Sequence, residues 1–198
     1  MKKRIIGSIV GAIIIFIWQF LSFAALNLHK PTQQYTDKQD AIMSFLGNQG
    51  MKEGGYFIPG LPDNATWDDH MKAAKTAEGK PWVMIQYHEK METNMVMNMI
   101  RGFLVNIVIV LLFCWLIGKI ANPGFSTILG GALAIGVIAF LNEPYTNFIW
   151  YKSFDIWASF LDAVMMWGLA GLWLGWYLRK QNSRLSAVKI REPEKELA

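Results

Sequence analysis

Hydrophobic positions in this chain fall into long blocks. Four apolar runs stand out, residues 5–26, 102–118, 125–141 and 156–178, the last holding one acid, Asp162. Runs of about 20 apolar residues match a hydrocarbon core about 30 Å thick. In such a medium each backbone polar group must be satisfied within its own segment, so each run is expected to be a helix. The predicted fold is an all-α membrane protein, a four-helix transmembrane bundle. A small α+β extracytoplasmic module is inserted between spans 1 and 2.

The blocks divide the chain into a first transmembrane helix at 1–28, a module at 29–90, a stem with spans 2–4 at 91–180, and a polar tail at 181–198. The first span reads as an uncleaved signal anchor, because its apolar stretch outruns a signal core and carries Trp18 and Gln19. In the module, Thr36 and Gln39 have capping-box spacing, which predicts a helix over 37–46 that stops at Gly47. Thr66 and Asp69 predict a second helix, ending at Gly79. Residues 56–58, closed by Pro59, and residues 82–87 read as two short strands. Neither Pro nor Gly occurs between Met91 and Arg101, so one helix is expected to run from there into span 2. Asn122-Pro123 should open span 3 and Asn142-Glu143-Pro144 should close it, leaving an aromatic loop at the interface. The tail is expected to be disordered.

Charge gives the predicted orientation. Ten bases and three acids, net +7, lie on the side holding Lys2, Lys3, Arg4, Lys119 and the residues after span 4. The other nine bases and twelve acids, net −3, complete the chain's +4. The positive-inside rule puts both termini in the cytoplasm, and an even span count agrees. The protein is thus expected in a bacterial inner (plasma) membrane, in contact with the lipid bilayer. The basic balance reads as topology and headgroup attraction, with no nucleic-acid partner.

Candidate chemistry is sparse. A single cysteine, Cys114, excludes disulfides and multi-cysteine metal sites within one chain. Asp162 is an intramembrane carboxylate, which must be paired, hydrated or protonated; Arg101 and Lys152 are its candidate partners. A structural pairing is the favoured reading, with proton or cation handling as the alternative. If residues 88–99 were one helix, His88, Glu92, Met95 and Met99 would share a face. Thioether and imidazole make a soft Cu(I) site, yet methionine more often fills loose packing. Gly7, Gly11, Gly130, Ala134, Gly171 and Gly175 mark close helix packing. There is no phosphate-binding glycine loop, nucleophile elbow or H-E-x-x-H motif. The sequence therefore predicts a non-enzymatic accessory or scaffold subunit, without a cofactor, binding a membrane-protein partner, lipid or a second copy. Small-solute or copper handling through the methionine-rich stem and Asp162 is the alternative.

Overall fold

The computed structural model describes residues 2–191, with side chains as far as Arg179. It separates into two compact units: one runs to Gln34 and resumes at Asn94, and the other is Tyr35–Thr93.

The first unit contains four helices long and apolar enough to cross a membrane. Helix α1 (Lys2–Phe20) runs directly into a π turn, Leu21–Ala25. Helix α4 is Met95–Ile117, α5 is Phe125–Phe140 and α7 is Ile156–Arg191. Their isoleucine- and valine-rich sequences are modest helix formers in water; an environment without water leaves the backbone no other partner.

Three boundaries differ from expectation. Helix α4 starts at Met95, four residues late, because the Asn94 side chain accepts the Met97 N–H at 3.0 Å. The absence of Pro and Gly permits a helix, whereas a capping side chain starts one. At span 3, Gly124 occupies the N-cap and Asn122 takes a left-handed φ of 49° two residues earlier. Pro144 does not end that helix. A π turn, Leu141–Tyr145, carries the chain through it into α6 (Thr146–Trp150). The wider turn relieves the clash a proline ring makes with the preceding turn, and Thr146 Oγ1 donates to the Leu141 carbonyl at 2.8 Å. Helix α7 likewise passes residue 178 and is helical to Arg191, inside the tail expected to be disordered. The last seven tail residues lie outside the described residues.

Close contacts fix how the helices run. A Cβ at Gly7 would lie 3.2 Å from Leu174, one at Gly11 would lie 2.9 Å from Val110, and one at Gly175 would lie 2.8 Å from the Phe125 ring. Arg4 Nη2 reaches the Gly118 carbonyl at 3.4 Å. The start of α1, the end of α4, the start of α5 and the Leu174–Tyr177 turn of α7 therefore share one end of the bundle. Gly171 packs on Ala132, where a Cβ would come within 2.7 Å. Gly130 and Ala134 instead point outward; Gly131, Ala132 and Gly136 face the neighbouring helices. At about 100° per residue, a shift of one or two positions moves a residue from the seam to the outside.

The core of this unit is apolar, built on Ile15, Val110, Phe113, Ile128, Trp167 and Leu174, with Cys114 buried among them. The opposite faces are apolar too: Ile5, Ile9, Ile13 and Ile17 of α1 and Leu104, Leu112 and Trp115 of α4 are exposed. Helices apolar on every side suit a hydrocarbon solvent.

In the second unit, β1 (Gly54–Ile58) pairs antiparallel with β2 (Val83–Tyr87), Gly54 opposite Tyr87 and Ile58 opposite Val83. Helix α3 (Trp67–Ala77) has the expected capping box: Thr66 Oγ1 accepts the Asp69 N–H, and Asp69 Oδ2 accepts the Thr66 N–H at 3.0 Å. Helix α2 is Gln39–Asn48, without a side-chain cap at its start. Thr36 Oγ1 accepts the Lys38 N–H instead, a local turn that competes with the box. The helix passes Gly47, and the left-handed residue that follows it is Gly50, φ 68°. No residue of this unit is buried, and Phe45, Trp67 and Trp82 are exposed.

Candidate functional site

After the π turn the chain reverses at Asn27, whose φ of 53° is left-handed, a conformation asparagine tolerates. The Leu28 N–H returns to the Ser22 carbonyl at 2.9 Å. A short 3-10 turn, Lys30–Thr32, follows with Pro31 in its first turn, and Thr32 Oγ1 donates to the His29 carbonyl at 2.8 Å. This local wiring brings His29 back into the bundle. The sequence places His29 at the edge of the soluble module; the structure makes it part of the helical unit.

The imidazole is buried at 6% exposure and lies between two carboxylates of the α7 segment. Nδ1 is 2.7 Å from Asp155 Oδ2 and Nε2 is 2.9 Å from Asp162 Oδ2. Asp155 immediately precedes α7, and its carbonyl accepts the Ser159 N–H. Asp162 lies two turns further on, so both side chains share a face, and the ring bridges them. The second oxygen of Asp162 accepts the Trp18 Nε1–H at 2.9 Å. Phe23 stacks on the imidazole at 4.1 Å, nearly parallel.

Ionised carboxylates can only accept hydrogen bonds, and a neutral imidazole has one N–H. Two N–O lines therefore need two protons, one more than neutral histidine with two carboxylates supplies. Both lines are hydrogen bonds when the trio holds one extra proton, for a net charge of −1. Desolvation pulls the His29 pKa down, but hydrogen bonds and charge from Asp155 and Asp162 outweigh it, so it lies above its ordinary 6.5. The aromatic face of Phe23 also favours the imidazolium.

With both ring nitrogens bound to carboxylates, His29 has no free nitrogen to act as a base towards a hydroxyl such as Ser22. Ser22 Oγ is itself buried without a hydrogen-bond partner. One further polar contact crosses helices nearby: Asn106 Nδ2 donates to Gln19 Oε1 at 2.8 Å. Toward the end holding Arg4, the buried side chains are those of the apolar core and Ser8, whose Oγ donates to the Arg4 carbonyl at 2.7 Å.

Asp162, singled out from the sequence, is thus central, but its partners are Trp18 and His29 rather than Arg101 or Lys152. Lys152 lies over the Phe148 ring at 4.6 Å. Asp162 is 133 residues from its histidine, and Asp155 is 126. The available signal was the pair of acids seven apart at the head of an apolar run, which requires a cation or donor from elsewhere in the chain. The copper candidates are not brought onto one face. Helix α4 begins after His88 and Glu92, which belong to the other unit, while Met95 and Met99 are exposed on its first turns. His88 Nδ1 is 3.3 Å from Glu53 Oε1, both exposed, beside an open groove lined in part by Met43, Leu46, Ile85 and Tyr87.

Compared with protein-family models, with curated proteins and with solved structures, the chain has no significant match.

Proposed function

We propose that this protein is a non-enzymatic, multi-pass accessory or scaffold subunit of a bacterial inner membrane, with both termini cytoplasmic. One observation carries the reading: both nitrogens of the buried His29 ring are taken up by carboxylates of the same network, above a largely apolar core. Both imidazole nitrogens and both Asp162 oxygens are engaged, so neither group is free to act as a base or a ligand. The packed Ile15, Val110, Phe113 and Trp167 layer offers a solute no polar path through the bundle. Such a network suits a joint between two segments better than catalysis or transport.

Orientation is supported by the shared bundle end, where Arg4 and Arg179 lie on helices that meet there and Lys119 in the turn just after α4. Partner binding is supported by the Tyr35–Thr93 unit, which buries none of its own residues and exposes large aromatics.

Purification in mild detergent with mass spectrometry of what accompanies the protein tests the role. A stoichiometric membrane-protein partner is the expected result; a retained metal or small solute with no partner would overturn it. Reporter fusions at Gly60 and at the C-terminus test the orientation, and a cytoplasmic signal at Gly60 would reverse it.

A further inference from the structure

We propose that Asp155, His29 and Asp162 form a proton-binding latch, which ties the turn after α1 to the head of α7 when protonated and releases it when the proton leaves. The argument rests on counting protons along two short lines. His29 meets one carboxylate at 2.7 Å and another at 2.9 Å, and both contacts are attractive only while each line holds a proton. Removing one leaves a nitrogen lone pair facing a carboxylate oxygen inside a buried site, where little water can compensate.

The joint depends on these contacts because the other ties of the turn are local. Leu28 to Ser22, Lys30 to Asn27 and Thr32 to His29 all close within the segment. The titratable groups facing the ring are Asp155 and Asp162. Asp155 and Asp162, from the α7 segment, are charged; Trp18 acts through Asp162, and Phe23, from the π turn, stacks on the ring, and neither of these two is charged. A route for the proton exists as well. The Asp155 side chain is 16% exposed against 7% for His29 and 9% for Asp162, so exchange with water passes through Asp155.

The direction of the pH effect follows. His29 in the folded protein binds its proton more tightly than in the unfolded chain. Its contribution is complete below the ordinary value of 6.5 and is lost as pH rises through the higher folded value. The latch is therefore closed in mild acid and opens toward alkaline pH, whatever partner the protein serves.

The test uses full-length protein in lipid nanodiscs. Imidazole nitrogen NMR follows His29 beside His70 and His88, and a Ser22→Cys reporter in a Cys114→Ser background follows opening of the turn by maleimide labelling. Dividing the labelling rate by that of the same reporter with His29→Gln removes the intrinsic reactivity of the thiol. The expected result is a His29 midpoint above 6.5. The labelling ratio should be well below one in mild acid and rise toward one as pH increases through the His29 midpoint. If His29→Gln does not fold, Asp155→Asn serves instead and should lower the His29 midpoint. A His29 midpoint at or below 6.5, a ratio constant with pH, or a midpoint unmoved by Asp155→Asn would each overturn the latch.

Discussion

Replacing Asp162 with Asn changes one atom type and keeps the shape, which makes it a sharp probe of the network. Both carboxylate oxygens are occupied, one by the Trp18 indole N–H and one by His29 Nε2, each at 2.9 Å. An amide has one accepting oxygen, so while His29 keeps both ring protons only one of these contacts survives whichever way the amide turns. The amide nitrogen then points its hydrogens at another donor, unless His29 gives up its Nε2 proton and with it the charged pair. A hydrogen bond to a charged group contributes about 1.5–3 kcal/mol, and a buried donor left unsatisfied costs about 1–3 kcal/mol. Removing one partner of a buried ion pair gives a similar total of about 3–5 kcal/mol. Asp162→Asn should therefore destabilise by about 3–5 kcal/mol at mildly acid pH, where His29 is charged. At roughly 2–4 °C per kcal/mol for a chain of this size, the melting temperature should drop by about 6–20 °C. Thermal unfolding in one fixed detergent, followed by circular dichroism, measures this. Adding Trp18→Phe should cost less in the Asn background than in the parent, because the two changes remove a shared bond. A melting temperature within about 2 °C of the parent would refute the account of Asp162 as the centre of the joint.

The seam glycines give a contrasting pair. Gly136→Ala places a Cβ 2.6 Å from the Ala163 carbonyl oxygen and should cost about 1–3 kcal/mol, while Gly130→Ala meets open space and should be neutral or stabilising by up to about 1 kcal/mol. The same melting assay decides between them. Val96→Pro falls in the first turn of α4 and should be tolerated, whereas Ile100→Pro lies inside the helix and should cost about 3 kcal/mol or more. Equal losses from the two would mean that the helix starts earlier than Asn94. Asn27→Val forces a β-branched residue to a positive φ and should cost about 1–3 kcal/mol, with Asn27→Gly close to the parent.

The four apolar helices were legible from the sequence because hydrophobic length is a local property. A segment that must satisfy its backbone without water becomes a helix whatever its neighbours do. The Thr66–Asp69 cap and the two strand segments are local in the same sense, since the deciding contacts lie within a few residues. Helix ends were less legible where two local signals competed. Thr36 had a rival turn at Lys38, Asn94 was a start signal inside a run read as continuous, and Pro144 was absorbed by a π turn that the proline alone does not announce.

Which way each helix faces was decided only by tertiary packing. Gly130 and Ala134 sit in the same small-residue run as Gly131 and Gly136, and only neighbouring helices distinguish seam from outside. The candidate site divides along the same line. By its type and position alone, Asp162 required a partner, because an unpaired carboxylate at that depth is costly. Nothing within its own segment supplies that partner. His29, in a polar stretch more than 120 residues earlier, becomes a buried imidazole only when the turn at Asn27 folds it back between α1 and α7. The sequence determined by itself that a buried charge needed an answer; the tertiary structure decided which residue answers it, because only folding brings those two segments together.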